Sequence, residues 1–402
     1  MHLLLTWHLL QELSGLIYSA IGFESVFDRR KSKSNIGAAT FFDWLNQQSI
    51  KMRVLRQTLS LQAIGMRAAV LRTPMPIDRN PLSMEDVATP TVGRGQVLVK
   101  IGACGVCRSN LHMIEGDWVK RGAPAKSPII PGHEIAGRVA RVGDDVKVFR
   151  EGDKVGVQPL WSSCGRCEYC LTGREQLCKS REITGETVDG GYAEYVVANA
   201  DHVYHVPDNL NESEAAPLFC PGITAYGAVR KAELSPGKRV AVFGIGGVGH
   251  MVVQFAKLYG AEVIAVSRSR QHLDLAKAVG ASTVVDSSKG DTAEWLNEIG
   301  EVDSSIVFAP STNIAQLAVK ATKRGGITVI GVWAELGELP FPEEKRVVGS
   351  ILGSREDMKK VLSLASAGKI KSVYEEHSLE KANEVLKMLK NIEIRARAVL
   401  VP

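Results

Sequence analysis

The stretch KRVAVFGIGGVGHMVVQFAKLYGAEVIAVS, residues 238–267, constrains the fold more than any other part of the chain. An apolar run, VAVF, leads into GxGxxG spacing at Gly244, Gly246 and Gly249. A segment with helical apolar spacing opens near His250, and a second apolar run, VIAV, follows it. Strand, glycine loop, helix and strand in that order are the context a dinucleotide-binding loop requires. Its glycines, Gly247 included, permit a tight turn and close approach of backbone to a pyrophosphate, and the start of the helix attracts the phosphates. A GxGxxG alone is weak, and the flanking elements are what give it meaning.

The same alternation continues through QHLDLAKAVG, STVVDSS, SSIVFAP, a helical NIAQLAVKATKRGG and the strand-like ITVIGVW. Such a rhythm predicts βαβ units and a doubly wound parallel sheet, an α/β fold. Upstream, MRAAVLR, QVLVKIGACGV, GRVARVGDDV and GGYAEYVVANADHVYHVP are short strands punctuated by Gly and Pro, a β-rich texture. Downstream, REDMKKVLSLASAGK and LEKANEVLKMLKN read as helices before a last strand, RARAVLVP. Residues 1–65 follow no period. They read as an N-terminal extension of unknown role, either an upstream continuation of the reading frame or a targeting or partner-binding arm.

Four of the seven cysteines fall in CGRCEYCLTGREQLC, at Cys164, Cys167, Cys170 and Cys178. A chain of 402 residues buries enough core to need no staples. Thiols so closely spaced on a turn-rich loop suit a closed, tetrahedral structural zinc. An iron–sulfur cluster fits less well, because the ferredoxin run continues with three residues and then Cys-Pro, whereas seven residues intervene here and Lys179 follows.

A second metal set is dispersed. Cys107 opens CRSNLH, His133 and Glu134 stand in PGHE, and Cys220 stands in APLFCPG. Two Cys and one His with an open fourth position is a known catalytic zinc set, although any one of these cysteines alone is more often a small buried side chain. Cys104 keeps that plainer reading.

At the end of the second strand, where an NAD-binding protein usually offers Asp or Glu to the ribose, the chain reads Ser267, Arg268, Ser269, Arg270. A carboxylate would repel a 2′-phosphate, and Ser and Arg bond it, so NADP is expected over NAD.

Together these motifs resemble the zinc-dependent medium-chain alcohol dehydrogenases, in particular the bacterial, archaeal and cinnamyl-alcohol types. GACGVCRSNLH, PGHEIAGRV, the four-cysteine loop, DGGYAEYVV, APLFCPGITAY, GIGGVGH and KRGG occur in that family's order from Met66 to Pro402. The resemblance implies a catalytic zinc on Cys107, His133 and Cys220, with Glu134 as a carboxylate able to approach it. It makes Ser109 the hydroxyl that takes the alcohol's proton and His112 the residue that passes it outwards. It also places Thr224 at the nicotinamide, Arg108 and Arg397 at the pyrophosphate, and Trp118 and Trp161 at the substrate pocket or in core packing. It implies a GroES-like catalytic domain from 66–224 and 353–402, a Rossmann domain at 225–352 with the active site in the cleft between them, and a homodimer or homotetramer. One position departs from the pattern: Asn110 stands where the family often has the aspartate that orients the histidine ligand.

The expected reaction is hydride transfer between an alcohol and NADP or NAD, with two zinc ions per chain and an alcohol or aldehyde substrate. A polyol, sugar or threonine dehydrogenase is the nearest rival, and an NADP-binding, zinc-stabilised sensor is the rival outside the enzymes. Residues 1–65 carry +3 of the net charge of +5, so the remainder carries only about +2 and shows no nucleic-acid footprint. No apolar run reaches membrane length. MHLLLTWHLL lacks the basic start and cleavage site of a secretory signal, so a cytoplasmic location with thiols kept for metal is expected.

Overall fold

A computed structural model describes residues 65–402. The expected extension, residues 1–65, lies outside the described residues apart from Gly65, which opens the first strand.

The strands in chain order are β1 (Gly65–Leu71), β2 (Leu82–Ala88), β3 (Gln96–Gly105), β4 (Glu134–Val142), β5 (Lys154–Val157), β6 (Leu160–Ser162), β7 (Glu182–Ile183), β8 (Tyr195–Asn199), β9 (Val203–His205), β10 (Arg239–Phe243), β11 (Glu262–Ser267), β12 (Thr283–Asp286), β13 (Val302–Val307), β14 (Thr322–Ile330), β15 (Arg346–Gly349), β16 (Tyr374–Ser378) and β17 (Arg397–Val401). Six of them form one sheet in the order β12-β11-β10-β13-β14-β15, every pair parallel. Counted from β10, this is the 3-2-1-4-5-6 order of a Rossmann sheet, in which ligands bind outside the carboxyl ends of the strands where the order reverses. Helices cover both faces, so Val240, Ala241, Val242 and Phe243 of β10 are all fully buried and the strand reads as an unbroken apolar run.

The other large sheet runs β16-β17-β3-β4-β5-β9, with β8 also on β3. Apart from the parallel pair β16/β17 it is antiparallel, the β-rich partner expected from the short strands. Its strands β16 and β17 come from the chain beyond residue 370, and β17 pairs directly with β3, so the chain that follows the parallel sheet returns to complete the β-rich one.

The structure ends one expected element early. The helix in NIAQLAVKATKRGG stops at Ala321, and β14 already contains KRGG. Thr322 turns its hydroxyl to the buried hydroxyls of Ser305 and Thr328, both at 2.9 Å, and this β-branched residue starts the strand inside the sheet. Among the described residues, no helix is long and apolar enough to cross a membrane.

Candidate active site

The register of β3 on β4 brings the first two candidate ligands together. Gly105, the last residue of β3, faces Glu134, the first of β4, so Cys107 just beyond one strand and His133 just before the other meet. Cys220 arrives from the opposite side at the start of the helix Pro221–Lys231, beneath which the fully buried Phe219 anchors the chain. The ligand atoms of Cys107, His133, Glu134 and Cys220 all lie within 4.8 Å of one another.

Zinc–sulfur bonds of about 2.3 Å in a tetrahedron set their sulfurs about 3.8 Å apart. Cys107 Sγ and Cys220 Sγ stand 3.8 Å apart, so the pair already has the spacing the ion needs. One proton shared between these thiols holds Cys107 well below and Cys220 well above the usual thiol range. Burial is the largest influence and pulls His133 down, but the charge and hydrogen bond of Cys107 with the charges of Glu134 and Glu186 together outweigh it, and the imidazole ends raised.

Ser109 Oγ lies 3.1 Å from Cys107 Sγ and 3.5 Å from His133 Nε2, so the hydroxyl borders the ligand atoms. His112, one turn further along the helix Arg108–Glu115, bonds Asp117 through Nδ1 at 2.7 Å and stacks on Trp118 at 5.7 Å. Asp117 was not singled out in the sequence, where nothing but its nearness to His112 marks it. Trp161 instead donates its indole N–H to the Val197 carbonyl at 3.1 Å. Cys104 is fully buried in the apolar core and belongs to neither ligand group, although it neighbours the Glu134 backbone.

Asn110 is buried, with its side-chain nitrogen Nδ2 3.3 Å from His133 Nδ1 and its Oδ1 without a partner. If Nε2 of His133 binds metal, Nδ1 carries the proton and needs an acceptor, which the amide supplies once it is flipped to turn Oδ1 towards the ring. Asn110→Asp adds a charge there and makes the imidazole a more basic ligand. The protein should remain folded, and the pH profile of turnover should move to higher pH; an unmoved profile takes Asn110 out of the site.

Behind the ligands, Glu134 is wholly buried against the equally buried Arg397 of β17. Burial is the largest influence on this carboxyl and, against the Arg397 charge, leaves it raised to about 7. Arg397 also reaches the glycine loop: a Cβ on Gly247 would lie 2.3 Å from its Nη1. In that loop Gly244 has φ of +92°, and a Cβ on Gly249 would stand 1.9 Å from the Gly244 carbonyl oxygen, so the turn tolerates no side chain at either place. Thr224 sits in the first turn of its helix, its N–H on the Cys220 carbonyl at 2.9 Å. Arg108 spends one N–H on the Leu389 carbonyl at 2.8 Å, and the positive charge of Arg268 lies close enough to act on it. Ser267 ends β11 with its hydroxyl accepting from the Ser269 N–H at 3.2 Å.

The four-cysteine loop forms a separate lobe whose base is clamped by the antiparallel pair β6/β7. Its four sulfurs also lie within 4.8 Å of one another, with 3.5 Å from Cys167 to Cys170 and 3.9 Å from Cys164 to Cys170. None is in a disulfide. The backbone N–H groups of Arg166 and Cys167 hold the Cys164 thiol down to about 6, which favours the thiolate a metal requires.

Residues 93–208 match the family described as "Alcohol dehydrogenase GroES-like domain", and residues 247–367 match "Zinc-binding dehydrogenase". An alcohol dehydrogenase of Geobacillus stearothermophilus is 42% identical over 343 residues, which cover 83% of this chain and 99% of that protein. An NAD-dependent alcohol dehydrogenase of Saccharolobus solfataricus is 38% identical over 337 residues, 80% of this chain and 97% of the other. Among solved structures, the alcohol dehydrogenase of the archaeon Aeropyrum pernix superposes with a TM-score of 0.78 at 33% identity, covering 84% of this chain and all of that one.

Proposed function

The chain belongs to the zinc-dependent medium-chain alcohol dehydrogenases, and we propose that within this NAD(P)-dependent activity it prefers NADP and works through Cys107, His133 and Cys220. Those three residues would hold a zinc ion that would supply Lewis acidity to an alcohol oxygen, and the glycine loop would hold a nicotinamide cofactor able to accept hydride. The observation that carries the reading is the convergence of two sulfurs at 3.8 Å with His133 and a hydroxyl at their border.

The roles of the chain's own groups follow from their places. Ser109 takes the alcohol's proton. His112, with Nδ1 committed to Asp117, passes it towards solvent through Nε2. Asn110 sets the tautomer of His133. The glycine loop and Arg397 hold the pyrophosphate, helped by Arg108, and Thr224 orients the nicotinamide. Cys164, Cys167, Cys170 and Cys178 hold the second, structural zinc. We take 66–224 with 353–402 as the catalytic portion and 225–352 as the cofactor portion, with the reaction in the cleft between them. We also expect association into dimers or tetramers through the cofactor portions. Support for this is the open edge of β15 and the exposure of Leu339 and Phe341 beside it, the latter 88% exposed. A cytoplasmic location accords with seven free thiols.

For the cofactor, the support is a strand end without a carboxylate at Ser267, followed by the exposed Arg268. The test compares kcat/KM for NADP and NAD across primary, secondary, aromatic and polyol substrates. Ser267→Asp should lower the value for NADP by roughly tenfold to a hundredfold, the worth of one or two charge-assisted hydrogen bonds, and spare NAD. Equal use of the two cofactors by the unaltered protein removes the preference and leaves the activity standing.

A further inference from the structure

We infer that His250 is a positioning residue that ties the glycine loop to the returning strand carrying Arg397, so that the loop and the arginine meet the dinucleotide in a fixed relation. The observation is a closed circuit of contacts. His250 is fully buried at the start of the helix Gly249–Leu258. Its Nε2 accepts from the Val373 N–H at 3.4 Å, so Nδ1 carries the proton and donates to the Gly246 carbonyl at 3.1 Å. The Val373 carbonyl in turn accepts from the Arg397 N–H at 3.2 Å. The Arg397 side chain closes the circuit by reaching back to Gly247 on one side and to Glu134 on the other.

A second grip runs one turn further along the helix. Gln254 donates to the Lys371 carbonyl at 3.0 Å and accepts from the Lys371 N–H at 2.9 Å. Residues 371–373 are thus fastened to the cofactor helix at two points immediately before β16 leads the chain back to the β-rich sheet. The imidazole is suited to this place because one neutral ring offers a donor and an acceptor on opposite sides. Burial keeps it neutral by holding its pKa down to about 4.

The inference rests on the glycine loop being the dinucleotide site, and the experiment separates the two. Dissociation constants for NADPH and NADH are measured by fluorescence titration of the zinc-loaded protein, together with the unfolding temperature in the absence of nucleotide, zinc content, and alcohol KM at saturating cofactor. His250→Phe keeps a flat, slightly larger ring and loses both bonds. It should weaken nucleotide binding roughly tenfold, the factor that two ordinary net hydrogen bonds represent, with zinc content and alcohol KM unchanged. His250→Asn keeps a donor for Gly246 and should recover part of that loss. If His250→Phe does not fold, Gln254→Leu, which removes only the second grip, should weaken nucleotide binding a few-fold by the same reasoning. Unchanged nucleotide binding in the folded variants, or a fall in unfolding temperature alone, overturns the inference. Gly249→Val is the control on the loop: if it binds nucleotide normally, the loop is not the site and the fault lies with the cofactor reading.

Discussion

His133→Ala should yield a folded protein that binds its nicotinamide cofactor normally, carries one zinc per chain instead of two, and oxidises alcohols roughly ten-thousandfold more slowly. The size of the effect is that of losing several kcal/mol of charge stabilisation at the reacting oxygen. Without the imidazole, the two sulfurs 3.8 Å apart keep only half of a tetrahedral site. Glu134 has one oxygen on Arg397 and only Oε2 free, so it offers at most one oxygen in place of the imidazole. Cys107→Ser should act in the same direction, since it removes a thiolate and the atom that Ser109 borders. Elemental analysis, cofactor titration and turnover measured on one preparation check all three statements. Undiminished turnover in either variant ends the assignment of the catalytic site.

Replacing Cys170 with serine should have the opposite signature, a large loss of stability with the chemistry of the surviving folded molecules changed only a few-fold. The reason lies in how little the lobe buries. From Cys164 to Cys178 only Gln176 and Cys178 are buried, and Leu171 is 73% exposed, so the loop has no apolar core of its own. Metal binding in such a segment is the folding energy of the segment. Cys170 has sulfur neighbours at 3.5 and 3.9 Å, so its removal takes away one of the four thiols the ion needs. The unfolding temperature should fall by roughly 10 °C, a loss of a few kcal/mol at the sensitivity usual for large domains. Calorimetry with zinc counting checks it. An unchanged transition, or iron with a visible cluster spectrum in the unaltered protein, refutes the structural zinc.

The parts of the fold that could be read from the sequence are those whose cause is local. VAVF before the glycines, the helix behind them and VIAV after them follow from apolar period and turn chemistry, and the structure places all of them within a residue or two of expectation. The helix Thr292–Ile299 carries a local signal in the capping box that Asp291 and Glu294 form, but its apolar face is too short to give a clear period. What could not be read depends on distant pairing. The strand start at Thr322 is decided by the hydroxyls of Ser305 and Thr328, partners that a local helical pattern does not contain.

In the candidate site, the ligand residues stood out by type and context, and the order of their motifs supplied the rest. Their supporting partners did not stand out. Nothing in PGHE announces that Glu134 meets Arg397, and nothing in GIGGVGH announces that its histidine holds Val373, because the partners stand 263 and 123 residues further along the chain. Asn110 was visible as a departure, but only the structure places its amide on Nδ1 of His133.

The pairing of Val399 with Gly105 in the β-rich sheet carries a consequence for biosynthesis. At 5–20 residues per second, a ribosome needs roughly 15–60 s to pass from one of these residues to the other. Throughout that interval the nascent first half waits with an open edge and with Glu134 lacking its guanidinium. The cysteine lobe needs only fifteen consecutive residues and can capture its ion soon after leaving the exit tunnel. The dispersed ligands Cys107, His133 and Cys220 are also synthesised well before the last strand, so what that strand adds is the closed edge and the Arg397 charge behind them.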